Sequence, residues 1–364
     1  MLLKDIVSAL EELAPPGLQE SYDNSGLLVG DPLQSITGVL ICLDSTEAII
    51  DEAVGKGCNL VVAHHPIIFS GLKRITGKNY IERTVIKAIR NEVAIYAIHT
   101  NLDNVQHGVN GKIAEKLGLK NLRVLSPKGG ELLKLEVFVP IGQAEDIRRA
   151  VFDAGGGHIG NYDECSFSSK GDGTFRPLHG ANPALGEMGE RHTESEFNLS
   201  FLVPKWLKTK VHAAMVKAHP YEEVAHQWIA LQNNHQEVGS GMVGELAEPI
   251  EVADFLERVK GTMRVSMLRH TKPVSKHVKR IAVCGGSGSF LLNDAIAAGA
   301  DVFVTADFKY HQFFDADNRI VIADIGHFES EQFTIELLGD WFKQKFPTFA
   351  SHLTGIETNP VFYL

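Results

Sequence analysis

Asp51-Glu-Ala-Val-Gly-Lys-Gly-Cys-Asn-Leu-Val-Val-Ala-His-His65 is the stretch that decides how this chain folds. A helical segment stops at Gly55-Lys56-Gly57. The aliphatic run 59–63 that follows is short and bounded by turn residues, so it reads as a buried strand. Two imidazoles and Pro66 close it. A second copy of the pattern lies at Asn293-Asp-Ala-Ile-Ala-Ala-Gly-Ala-Asp-Val-Phe-Val-Thr-Ala-Asp307, with Gly299 where the first copy has Gly57. Each copy is preceded by a further expected strand (38–43 and 280–284) and followed by another (93–98 and 319–323). Strand–helix–strand units of this kind imply parallel pairing and a right-handed crossover. The chain is therefore expected to hold two similar α/β halves. A shared site belongs between their strand ends, where open α/β sheets present their ligand crevices.

Chemistry-bearing residues gather at those ends. Adjacent side chains of an extended segment point to opposite sides. His64 and His65 thus serve two centres better than one, which points to a dinuclear metal site. The last strand of the first half runs into His99-Thr-Asn-Leu-Asp103, and that of the second into Asp324-Ile-Gly-His-Phe-Glu-Ser-Glu331. An apolar-periodic stretch follows (Phe333, Ile335, Leu337, Leu338, Trp341) and reads as a helix. If that helix begins near Gly326, His327 and Glu331 share one face, one turn apart. Taken singly these signals are weak. Pairs four residues apart are common on solvated helix faces, and Asp103 would equally suit a cap for the helix expected at 108–117. Taken together, His64, His65, Asp103, His327 and Glu331 all follow expected strands. Imidazole and carboxylate without thiolate suit zinc, iron, manganese or cobalt rather than a structural thiolate site. Five ligands around two divalent ions that share carboxylates leave open positions, which is the catalytic pattern. His99 is expected close by, as general base or outer-shell support.

Composition frames this reading. The chain has 364 residues, too many for one ordinary domain. Apolar and charged fractions of 44% and 22% are those of a globular protein. A net charge of −10 argues against an extended phosphate-binding surface, so nucleic acid is not an expected partner. No apolar run reaches the length of a membrane span, and residues 1–20 read as an amphipathic helix ending before Pro15-Pro16 rather than as a signal peptide. Cys42, Cys58, Cys165 and Cys284 show no CxxC spacing and read as reduced thiols of a cytoplasmic protein.

The chain resembles the NIF-three-like family (NGG-one-interacting factor three), of the YqfO and YbgI type. The resemblance spans the whole chain and rests on Tyr22-Asp-Asn-Ser-Gly-Leu27, His64-His-Pro66, His99-Thr-Asn-Leu-Asp103, Asp307-Phe-Lys-Tyr-His311 and Gly326-His-Phe-Glu-Ser-Glu331. Tyr22 stands where tryptophan is usual, and Ala306 where glycine often precedes the aspartate. Neither is a ligand position. The family's dinuclear ligands fall on His64, His65, Asp103, His327 and Glu331, the set already reached from strand ends. Some family members carry the name GTP cyclohydrolase 1 type 2 homologue, which implies a metal-dependent hydrolase opening a purine ring with release of formate. The resemblance also implies a ring-shaped homohexamer, a trimer of dimers.

The middle of the chain reads as a separate object. Strand 135–140 with its helix to Ala154 matches strand 199–204 with its helix to Ala218. Strands near 163–168 and 223–231 complete two β-α-β units, the ferredoxin-like pattern. The Gly- and Pro-rich stretch 171–196 is expected as a long loop or hairpin. This segment resembles the small trimeric PII and CutA domains inserted in YqfO-type members. The expected division is thus 1–128 and 241–364 for the two halves of a metal-binding core, with 129–240 as the insertion.

Other motifs are weaker. Cys284-Gly-Gly-Ser-Gly-Ser289 has amides to cradle a phosphate, and equally reads as a tight packing turn. Gly239-Ser-Gly-Met-Val-Gly244 reads as the linker rejoining the core. Lys309, Tyr310 and His311 could meet an anionic substrate or serve as cap and core. His158, His179 and His219 read as solvated loop histidines. Two functions follow. One is a metal-dependent hydrolase of a nucleotide or related small molecule. The other is a non-catalytic metal-binding assembly whose insertion senses a ligand.

Overall fold

The computed structural model describes residues 1–364. They form two compact units, one of Met1–Pro127 with Glu237–Leu364 and one of Lys128–Gln236.

The first unit contains two sheets. In one, the strands Ala94–Ala97, Leu60–Ala63 and Val39–Cys42 run parallel. Gly26–Val29 is added antiparallel at one edge and Ser351–Leu353 parallel at the other. In the other sheet, Val321–Asp324, Val302–Ala306 and His277–Ser287 run parallel. Arg269–His270 and Asn234–Glu251 flank them antiparallel, and Lys120–Gly129 forms the far edge. The repeat is therefore physical: each half contributes three parallel strands. It extends to backbone detail, because Gly57 and Gly299 both end their helices at φ 70°, a conformation that a side chain penalises. Each half also places an edge strand in the other's sheet, since Lys120–Gly129 comes from the first half and Ser351–Leu353 from the second.

Side-chain alternation sorts the strands into layers. Leu60, Val62, Val302 and Val304 join one apolar cluster with Leu3, Ile6 and Leu10, Ile113, Phe255 and Phe342 from four helices. Val61 and Ala63 point the other way, onto Ile49, Ile50 and Val85. Ala282, Phe303 and Ile322 pack with Leu291 and Ala295 on the outer face of the second sheet. Parallel register aligns Cys42 with Ala63 and Ala63 with Ala97. The residues just beyond them (Asp44, His64, His65 and His99) therefore leave one sheet edge side by side.

Local departures from expectation have local causes. The helix expected from Gly326 is broken into His327–Glu331 and Thr334–Lys345. Residues 1–20 hold a helix only over Leu3–Leu13, followed by a 3-10 turn at Pro16–Leu18. Gly239–Gly244 is not a linker but part of the strand Asn234–Glu251. Glycines hid it, because they carry no side-chain pattern. Asp103 does not cap the helix Val109–Lys116, whose N-cap is Gly108 with no side-chain hydrogen bond.

The second unit is a four-stranded antiparallel sheet in the order Ser166–Phe175, His192–Pro204, Leu132–Pro140, His226–Ala230. Helices Ala144–Asp153 and Lys208–Ala218 cover one face, over Leu135, Val137, Phe201, Val211 and Met215. Chain order and strand order together are those of the β-α-β-β-α-β pattern. The stretch 171–196 is both of the forms expected for it, a hairpin base in which Gly171–Phe175 pair with His192–Glu196 and a long loop over 176–191. His219 is buried rather than solvated, with Nε2 at 2.9 Å from the Phe138 carbonyl. No helix of the structure is long and apolar enough to cross a membrane.

Phe342 is fully buried in the cluster shared by the two sheets of the first unit. Phe342→Ala is expected to destabilise that unit by about 3–5 kcal/mol in denaturant unfolding, with the slope unchanged.

Candidate metal centre

Four histidines and two carboxylates meet at the strand ends of the first unit. His64 and His65 follow Leu60–Ala63, and His99 follows Ala94–Ala97. Asp103 ends the single helical turn Thr100–Asp103, while His327 and Glu331 open and close the five-residue helix His327–Glu331. Donor atoms of His64, His65 and His99 lie within 4.8 Å of one another, as do those of His65, His327 and Glu331.

Glu331 divides the site. Its Oε2 faces His65 Nε2 at 2.9 Å and His327 Nε2 at 3.2 Å. Its Oε1 faces His64 Nε2 at 3.8 Å, and His64 Nε2 is in turn 3.7 Å from Asp103 Oδ1. These last two distances are too long for hydrogen bonds. His64 Nε2 and Asp103 Oδ1 are buried and have no hydrogen-bond partner. Orphaned buried polar atoms cost about 1–3 kcal/mol each. An ion bonding nitrogen and oxygen at about 2.0–2.2 Å fits the gap and satisfies both.

The other face of every ring is committed. His64 Nδ1 donates to the Ile98 carbonyl at 2.8 Å. Carboxylates meet the remaining three: Asp44 Oδ1 at 2.8 Å from His65 Nδ1, Asp23 Oδ1 at 2.8 Å from His99 Nδ1, and Asp307 Oδ2 at 2.7 Å from His327 Nδ1. Metal-ligating histidines are oriented in this way, with the outer acceptor fixing the tautomer and directing Nε2 inward. Asp23 is itself held by Thr100 and by Ser25 Oγ at 2.8 Å.

The charges follow from this geometry. Burial and the charge of Glu331 hold the Asp103 carboxyl well above its ordinary range. Burial opposes the charge on Glu331 too, yet hydrogen bonds from His327 and His65 keep its carboxyl well below the usual range. Burial lowers His64. It also disfavours a charged His65, but hydrogen bonds to Asp44 and Glu331 raise that ring to about 10. The same balance, with Asp307 and Glu331 as acceptors, raises His327 to about 11. Two carboxylates around the neutral His64 make a cavity that calls for positive charge.

The five residues singled out in the sequence and His99 are thus brought together. The four outer partners, Asp44, Asp23, Asp307 and the Ile98 carbonyl, are not found by the sequence reading. Asp44 follows Val39–Cys42, so the strand-end rule that found the histidines would also have found it. Asp307 occupies the left-handed region at φ 60°, directly after Val302–Ala306.

The family described as Duf34/NIF3 (NGG1p interacting factor 3) matches residues 1–360. The chain belongs to this family. Among curated relatives, a Halalkalibacterium halodurans protein named GTP cyclohydrolase 1 type 2 homolog is 41% identical over 88% of this chain and 87% of its own. A Bacillus subtilis protein of the same name is 38% identical over 89% and 88%. The crystal structure of a Bacillus cereus protein related to NIF3 superposes with a TM-score of 0.87 at 38% identity, covering 100% of this chain and 99% of the other.

In this NIF3 protein the glycine-rich turn after Cys284 serves the centre by packing. The amides of Gly285 and Gly286 are taken by Asn110 Oδ1 and Ser330 Oγ, both at 2.9 Å, so they cradle no phosphate. Gly286 sits at φ 60°, and a Cβ there would lie 2.4 Å from Glu331 Oε1. Gly286→Ala is expected to displace that carboxylate and weaken divalent-metal affinity about 10–100-fold in chelator competition, with circular dichroism unchanged. Unchanged affinity would refute the role given to Glu331.

Proposed function

We propose that this NIF3 protein is a metal-dependent hydrolase of a nucleotide or related small molecule, holding two divalent ions of zinc, iron or manganese. One observation carries the reading: the two oxygens of Glu331 face two different donor sets. His64, Asp103 and Glu331 Oε1 would hold one ion. His65, His327 and Glu331 Oε2 would hold the other. Bound there, the pair would polarise an electrophile and acidify water.

The chain's own residues do the rest. Outer acceptors lock the four rings so that little reorganisation remains when substrate arrives. His99 donates Nδ1–H to Asp23, which leaves Nε2 free to take a proton as general base while the Asp23 charge stabilises the imidazolium. We take GTP as the first candidate substrate, since curated relatives carry the name GTP cyclohydrolase 1 type 2 homolog, and phosphoester hydrolysis as the neighbouring reaction to assay. Four cysteines without a disulfide suit a reducing compartment, and we place the protein in the cytoplasm. We further infer a homo-oligomer, a homohexamer on the family resemblance, which the exposed rings of Phe290, Tyr310 and Phe314 support.

The test is a metal-loaded preparation assayed against nucleoside triphosphates and phosphodiesters, with His99→Gln beside it. The variant is expected to keep both ions and lose turnover by about 10²–10⁴-fold. Two bound ions in the wild type with no turnover on any substrate would overturn the hydrolase reading in favour of a ligand-sensing assembly. Undiminished turnover in His99→Gln would remove that residue from the chemistry.

A further inference from the structure

Residues 354–359 follow the strand Ser351–Leu353, which pairs in parallel with Val39–Cys42. Their start is anchored on the helix Glu47–Gly55. Thr354 Oγ1 donates to Glu52 Oε2, and the Gly355 amide reaches Glu52 Oε1 at 2.8 Å. The next polar pair lands on Asp44, the outer partner of His65, and on Glu329, a neighbour of the ligands on their own helix. Thr358 Oγ1 donates to Asp44 Oδ2 at 2.6 Å, while Asp44 Oδ1 lies 2.8 Å from His65 Nδ1. Asn359 Nδ2 donates to Glu329 Oε1 at 3.2 Å, and Glu329 is buried on the helix that carries His327 and Glu331.

We propose that residues 354–359 form a strap that positions the metal-binding constellation, with Thr358 fixing the Asp44–His65 pair and Asn359 fixing the helix of His327 and Glu331. The inference rests on the reading of the site as a metal centre. Its physical basis is the freedom of a carboxylate. Held only by the His65 ring, Asp44 can turn about its side chain and let the imidazole swing. A second, charge-assisted hydrogen bond from Thr358 removes that freedom. Glu52 and the strand pairing already tether the segment, so the Thr358 hydroxyl is not needed to hold the chain down. Two consecutive residues reach ligands of both halves, one through Asp44 to His65 and the other through Glu329 to His327 and Glu331. Thr358 and Asn359 are positioning residues: one touches the outer partner of His65, the other the helix that carries His327 and Glu331, and both leave the ions to the ligands.

Cobalt(II) titration of the metal-free full chain, followed by visible absorption, tests this without an assay of activity. Wild type is expected to take up two ions. Thr358→Val should weaken one of the two steps about 10-fold or more and change its ligand-field bands, while the other step is unmoved. Thr358→Ser, which keeps the hydroxyl, should restore both. Asn359→Ala, which releases Glu329 and leaves Asp44 held, should weaken binding as well and keeps the test independent of how well Thr358→Val folds. Wild-type affinity and spectra in both Thr358→Val and Asn359→Ala would overturn the strap while leaving the metal centre standing. A wild-type chain that binds no cobalt would overturn the metal centre itself.

Discussion

A carboxylate that is 3% exposed sets the terms for the first unit. Removing a charged group such as Glu331 from water costs several kcal/mol, and only nearby donors or cations offset it. His65 and His327 supply hydrogen bonds to one oxygen. On the other side, His64 Nε2 and Asp103 Oδ1 stand near enough to share an ion and too far apart to satisfy each other. Much of the surrounding architecture keeps Glu331 in that place. Gly286 lets the backbone of the second sheet approach it without a side chain between. The short helix His327–Glu331 carries it back toward the strand ends of the first sheet.

This arrangement makes the two halves interdependent. His64, His65 and Asp103 come from the first, His327 and Glu331 from the second, and neither group contains a full donor set for both sides of Glu331. The sheets are interlocked in the same sense, since Lys120–Gly129 completes one and Ser351–Leu353 the other. The second of these strands leads directly into the segment that reaches Asp44 and Glu329. Sheet closure and site geometry are thus one construction.

Much of this was legible in the chain itself. The 59–63 and 302–306 runs are aliphatic and turn-bounded because their strands are buried on both faces, and that left an unambiguous pattern. The candidate ligands followed from one rule, that parallel strands end in a crevice, applied to His64, His65, Asp103, His327 and Glu331. What the residues hid has two physical causes. Strands built of glycine and polar residues, such as the one covering Gly239–Gly244 and the 169–175 part of Ser166–Phe175, carry no alternation to read. Partners distant in sequence carry no spacing signal: Thr358 meets Asp44 across 314 residues, and His99 meets Asp23 across 76. The break between Glu331 and Thr334 was hidden for a third reason. Apolar periodicity continues through it, while the backbone turns.

The most direct measurement is anomalous scattering at the metal edge from crystals grown with zinc or manganese. Two peaks are expected, one on each side of Glu331, the first within bonding distance of His64 and Asp103 and the second of His65 and His327. A single ion, or an ion that leaves His64 Nε2 and Asp103 Oδ1 unbound, would contradict that expectation.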